Sequence, residues 1–198
     1  MMDVEQEKRK FLNLCGNYMK QKGTLKKNTI VATVMSNLGM FLMGEREGIH
    51  IEKTKVGDRY VLENMLENGY NIGGEQSGHI IFLDENTTGD GLLSALHLLQ
   101  VMTETKKKLS ELASIMEVLP QALVNAKVPN HKKEHFEEYA EIAEAIAEVE
   151  AKFAGEGRVL IRPSGTEPLV RVMIEGKDQQ LIESEAQKLA ELISSIML

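Results

Sequence analysis

The sequence runs to 198 residues, 42% apolar and 27% charged, which is enough to bury a core in one large or two small domains. A formal net charge of −7, an aromatic content of 5% and no tryptophan speak against nucleic acid and anionic membrane as partners. A single cysteine, Cys15, excludes an internal disulfide, and without a leader-like or long apolar segment the sequence predicts a cytoplasmic protein.

In chain order, apolar residues at Phe11, Leu12, Cys15, Tyr18 and Met19 predict a helix over Val4 to Gln21. Asn28 to Val34 reads as a strand, and Asn37 to Glu47 as a helix stopped by Gly48. Ile49 to Ile51 reads as a short strand, and Asp58 as the N-cap of a helix through Glu67. Strands over Tyr70 to Gly73 and His79 to Leu83 enclose a polar turn. A leucine-rich helix over Asp90 to Thr103 follows, then a solvated connection over Glu104 to Lys108 and a short helix near Ser110 to Ser114. Strands alternating with helices predict an α/β domain with a mainly parallel sheet over residues 1–118.

A second pattern begins near Leu119-Pro120. It predicts a strand over Ala122 to Val128, a helix over Glu134 to Phe153 with Ile142, Ile146 and Val149 buried, strands over Arg158 to Ile161 and Leu169 to Ile174, and a helix capped by Asp178. The order strand, helix, strand, strand, helix predicts a small α+β domain over residues 119–198.

Two turns carry chemistry. Arg162-Pro163-Ser164-Gly165-Thr166-Glu167-Pro168-Leu169-Val170-Arg171 sets two guanidiniums, two hydroxyls and a glycine between apolar strands. Pro163 has no N–H to give to a ladder, and Gly165 lets the backbone turn with its amides inward. Arginine matches phosphate oxygens with a bidentate fork, so the turn suits a phosphate monoester, or free phosphate or sulfate. In Gly73-Gly74-Glu75-Gln76-Ser77-Gly78-His79, the alternation of Glu75, Ser77 and His79 sets a carboxylate, a hydroxyl and an imidazole on one side of an extended segment. That is a hydrogen-bonding comb for sugar hydroxyls or an amine. No pair among His50, His97, His131 and His135 has a ligand-like spacing, and these are read as structural or solvated.

Together, Gly-Glu-Gln-Ser-Gly-His and Arg-Pro-Ser-Gly-Thr-Glu-Pro resemble the α-D-phosphohexomutase superfamily, and within it the C-terminal half of the bacterial phosphoglucosamine mutase branch. Thr33 to Asn37, Thr54 to Val61 and Asn86 to Gly91 extend the resemblance, which covers nearly the whole chain from about Phe11 onward. Gln76 and Lys55-Val56-Gly57-Asp58-Arg59 favour the glucosamine branch over the mannose/glucose branch, where a His commonly stands in place of Asp58.

The resemblance implies domains three and four of a four-domain enzyme, the fourth similar to half of a TATA-binding-protein fold. It implies that Arg162, Ser164, Gly165, Thr166 and Arg171 grip the phosphate not being transferred. Glu75, Ser77 and His79 would contact the sugar, and Lys55, Gly57, Asp58 and Arg59 form a loop facing the active site. It implies an intramolecular phosphotransferase that interconverts glucosamine 6-phosphate and glucosamine 1-phosphate for cell-wall UDP-N-acetylglucosamine synthesis. The reaction runs through a phosphoserine and a 1,6-bisphosphate that also serves as primer. The phosphoserine loop and the Asp-x-Asp-x-Asp loop that holds magnesium belong to domains one and two and are not found in this sequence. The chain alone is therefore expected to be inactive, with the first two domains as its partners and a homodimer as the assembly of the full-length enzyme. Two other readings remain at this point: half of a phosphoglucomutase or phosphomannomutase, and a sugar-phosphate binding module without catalysis.

Overall fold

The computed structural model describes the backbone of residues 4–198 and the side chains of residues 10–198. The chain divides into two units, Met1–Val118 and Leu119–Leu198.

The first unit holds α1 (Val4–Gln21), β1 (Thr29–Thr33), α2 (Leu38–Glu47), β2 (His50–Thr54), α3 (Asp58–Asn68), β3 (Ile72–Gly74), β4 (Ile80–Phe82), α4 (Gly91–Thr105) and α5 (Leu109–Leu112). Its sheet has the order β2-β1-β3-β4. β1 runs parallel to both β2 and β3, and only β4 is antiparallel, so the expected mainly parallel sheet is present. Both faces are covered. Ile30, Ala32, Ile72, Ile80 and Phe82 pack on one side with residues of α1, α2 and α4, while Val31 and Ile81 meet Val61 and Met65 of α3 on the other. Every residue of β1 is buried, as a central parallel strand with helices on both faces requires.

Local chemistry sets the helix ends. Asn37 accepts from the Gly39 amide at 3.0 Å, and Asp90 from Leu92 and Leu93 at 2.9 and 3.0 Å. Gly48 ends α2 in the left-handed region at φ 64°. Two expectations need correcting. The cap of α3 is Gly57, at φ 132°, so Asp58 is the first helical residue and its carboxylate accepts only from Arg59 N, at 2.8 Å. The stretch from Glu104 is not a solvated connection at its start, because α4 continues to Thr105 and Glu104 pairs with Lys22 at 2.6 Å. The break comes at Lys106, which is left-handed at φ 57°.

The second unit holds β5 (Gln121–Lys127), α6 (Ala140–Lys152), β6 (Arg158–Pro163), β7 (Leu169–Glu175) and α7 (Gln179–Met197). Its sheet is antiparallel, in the order β5-β7-β6, as an α+β unit predicts. Ala122, Ala126, Val170, Val172 and Ile174 form one face and pack with Ile142, Val149, Ile182, Ala186, Leu189 and Ile193 of the two helices. The alternate residues form the other face in cross-strand rows, Gln121–Glu175–Arg158, Leu123–Met173–Leu160 and Asn125–Arg171–Arg162. The long helix expected from Glu134 is instead a 3-10 segment, Lys133–Glu138, followed by extended Tyr139 and then α6. The break lies at Tyr139, extended at φ −86° and ψ 113°, and Phe136, 4% exposed, packs in the core before it.

Among the described residues no helix is long and apolar enough to cross a membrane.

Candidate functional site

The polar turn of the first unit joins β3 to β4. Gly78 N donates to Glu75 O at 3.0 Å and Glu75 N to His79 O at 2.9 Å, so the segment closes into a tight hairpin turn. The alternation argument for Glu75, Ser77 and His79 therefore fails as geometry, because the chain turns where an extended face was expected. Two of the three groups still meet: Ser77 Oγ lies 3.1 Å from His79 Nδ1, with both residues exposed. Glu75 is diverted. Its Oε1 accepts from Gly57 N at 2.8 Å, which ties the hairpin to the loop before α3. Glu75 Oε2 has no partner among the described residues.

That tie brings Gly57 to the β3–β4 turn. Asp58 and Arg59 follow at the start of α3, both exposed, and Arg59 Nε donates to Glu63 Oε1 at 2.7 Å. The Glu63 carboxylate raises the Arg59 pKa and holds the guanidinium on its own helix. Lys55 is exposed beside this loop. Gly73 and Gly74 are required by close packing. A Cβ on Gly73 would sit 2.7 Å from Met65 Sδ, and one on Gly74 would sit 2.6 Å from His79 O.

The 162–171 turn of the second unit joins β6 to β7. Ser164 N donates to Leu169 O at 2.9 Å, and Glu167 N to Ser164 Oγ at 3.2 Å. Ser164 is 2% exposed, so its hydroxyl shapes the turn from inside. Gly165 and Thr166 are exposed, and their amides and the Thr166 hydroxyl have no partner among the described residues. The glycine has another reason than the expected one. Gly165 is not left-handed, and a Cβ there would meet nothing within 4 Å. The turn itself does not need it, and its absent side chain leaves the backbone bare to whatever approaches.

Arg162 and Arg171 are cross-strand partners on the same face. The Arg162 guanidinium has no hydrogen-bond partner among the described residues. Burial first, and the Arg171 charge second, lower its pKa from the ordinary arginine value. Arg171 donates to Glu167 Oε2 at 3.0 Å, while its Nε is buried without a partner. An unpaired guanidinium next to a second one, with two free amides and a free hydroxyl alongside, is an arrangement completed by an anion.

Two contributors to this turn were not singled out in the sequence. Glu167 reaches Arg171 across the hairpin at a spacing of four, a pairing the motif itself contains. Lys133, only 9% exposed, sends Nζ to the carbonyl oxygens of Ser164 and Glu167. Its burial is a tertiary property with no sequence signal.

A cavity of about 540 Å³ in the first unit lies elsewhere, at the end of the β3–β4 hairpin away from its turn. Its polar lining is self-paired, Lys22 with Glu104 at 2.6 Å and Asn71 with Asp84 at 2.7 Å. His97 there stacks on Phe82 with centroids 3.8 Å apart, a structural role. Among the described residues no group of three His, Cys, Asp or Glu side chains is placed to hold a metal ion.

Residues 8–119 match the family model for phosphoglucomutase/phosphomannomutase alpha/beta/alpha domain III, and residues 123–192 match that for the phosphoglucomutase/phosphomannomutase C-terminal domain. The chain therefore belongs to the phosphoglucomutase/phosphomannomutase family, of which it carries the third and C-terminal domains. It is 62% identical to a phosphoglucosamine mutase of Ruminiclostridium cellulolyticum over 180 residues, covering 91% of this chain and 40% of that protein. It is 61% identical to a phosphoglucosamine mutase of Acetivibrio thermocellus over 193 residues, 98% of this chain and 42% of that one. The chain thus spans about two-fifths of the length of the curated relatives it matches. Its fold is similar to that of Aspergillus fumigatus N-acetylphosphoglucosamine mutase, with a TM-score of 0.75 at 17% identity over 98% of this chain and 44% of that one.

Proposed function

We propose that this chain is the substrate-holding part of a phosphoglucosamine mutase, an intramolecular phosphotransferase of the cytoplasm. The 162–171 turn binds the phosphate that is not being transferred. The observation that carries this reading is the set of unpartnered donors there: the Arg162 guanidinium, the buried Arg171 Nε, the Gly165 and Thr166 amides and the Thr166 hydroxyl. Phosphoryl transfer depends mainly on positioning and on stabilising charge, and this turn supplies positioning. It can serve glucosamine 6-phosphate, glucosamine 1-phosphate and the 1,6-bisphosphate alike, because it reads phosphate and not the ring.

The 75–79 turn presents the Ser77–His79 pair and the Glu75 Oε2 oxygen to sugar hydroxyls and to the 2-amino group. The names of relatives near 60% identity support the amino sugar over glucose or mannose. In this reading the phosphoserine comes from the family's preceding domains. Magnesium does not fit the described residues of this chain, since no group of three His, Cys, Asp or Glu side chains is placed for it.

A coupled assay with glucosamine 6-phosphate, magnesium and a bisphosphate primer tests the division of labour. The chain alone should show no turnover, and adding separately expressed preceding domains should restore it. Turnover by the chain alone that survives repurification contradicts the proposal.

A further inference from the structure

Lys133 lies in the 3-10 segment after β5 and is buried against the anion turn. Its Nζ donates to Ser164 O, and to Glu167 O at 3.3 Å. Placing a lysine amine in a protein interior is unfavourable unless its hydrogens find acceptors, so these two carbonyls hold it there as firmly as it holds them. The consequence runs through one peptide plane. No peptide bond among the described residues is cis. In a trans peptide the C=O and the following N–H point in opposite directions. Fixing Ser164 C=O toward Lys133 therefore fixes Gly165 N–H away from it. That N–H has no partner among the described residues, and nothing lies within 4 Å of where a Cβ on Gly165 would stand. A positive charge on the carbonyl oxygen also polarises the peptide and makes its N–H a stronger donor.

We propose that Lys133 is a positioning residue for the ligand phosphate: by holding Ser164 C=O from behind, it turns the Gly165 N–H outward as a phosphate donor. This deepens the phosphate reading of the turn and rests on it. Lys133 does not touch the ligand. It acts through the peptide between Ser164 and Gly165.

The test is titration of the whole chain with inorganic phosphate at low salt, following the Gly165 amide and the Arg162 and Arg171 Nε resonances, alongside a thermal melt. In the wild type, Gly165 N–H should show one of the largest shifts. In Lys133→Met, phosphate should bind about tenfold more weakly or worse, the change expected for one charge-assisted hydrogen bond. The Gly165 shift at saturation should shrink while both arginines still respond. A merely structural lysine would lower the melting temperature but leave the Gly165 shift at saturation intact, and that result overturns the proposal. If Lys133→Met does not fold, the wild-type titration still decides. Arginine resonances that respond beside a silent Gly165 amide refute the role of Lys133 alone. Silence at all three positions refutes the phosphate reading and the inference with it.

Discussion

Replacing Arg162 by alanine should weaken phosphate binding without weakening the fold. Arg162 makes no hydrogen bond within the described protein, and burial and the neighbouring Arg171 charge disfavour its charged form. Its removal therefore breaks no native hydrogen bond and relieves a like-charge pair, so the melting temperature should hold or rise slightly. Binding should fall instead. A hydrogen bond to a charged group contributes about 1.5–3 kcal/mol, so losing one such bond costs at least about tenfold in affinity. Ordering and association offset much of the gross interaction, so the wild-type chain should bind glucosamine 6-phosphate only on the order of millimolar. Titration calorimetry at low and moderate salt, with sulfate as competitor, reads both effects, and screening should weaken binding as salt rises. An Arg162→Ala chain that melts markedly lower while binding phosphate as before would refute the reasoning, because the guanidinium would then serve the fold.

Three further outcomes are expected. Glu75→Ala should weaken glucosamine 6-phosphate and leave inorganic phosphate unchanged, measured by the same calorimetry, since Glu75 belongs to the sugar turn and to its tie with Gly57. Arg158→Met should cost about 3–5 kcal/mol in a urea melt, because it leaves the fully buried Glu175 carboxylate without the guanidinium that pairs with it. Burial pushes the Cys15 thiol up to about 12, so the folded chain keeps it neutral while an unfolded chain ionises it near 9. Its contribution to stability is therefore complete below pH 9 and is lost as pH rises toward 12. Comparing denaturant midpoints of wild type and Cys15→Ala across pH 8 to 10.5 should show the wild type losing stability faster.

What was legible in the sequence was mostly local. Gly48 and Asp178 mark helix ends through backbone freedom and a capping side chain, and the structure keeps both in that role, while Asn37 and Asp90, read as first helical residues, are the caps just outside. The strand read over Asn28 to Val34 is present as β1, and its burial throughout is seen only in the fold. Where a tertiary contact decides, the pattern misleads. Phe136 is buried in the core on a 3-10 segment, and extended Tyr139 interrupts a helical run that continues by periodicity alone. Glu75 looks like a sugar ligand in a linear reading, yet half of its carboxylate serves Gly57, far away in sequence. Lys133 gave no signal because its partners are carbonyl oxygens, present at every residue and distinguished only by the fold.

The central claim, that the 162–171 turn is the phosphate grip of an amino-sugar phosphate mutase, is tested most directly by chemical-shift mapping of the chain with glucosamine 6-phosphate. Saturable shifts are expected in Arg162, Gly165, Thr166 and Arg171, which inorganic phosphate reproduces and sulfate competes away. Shifts confined to other residues, with this turn unchanged at saturation, would contradict it.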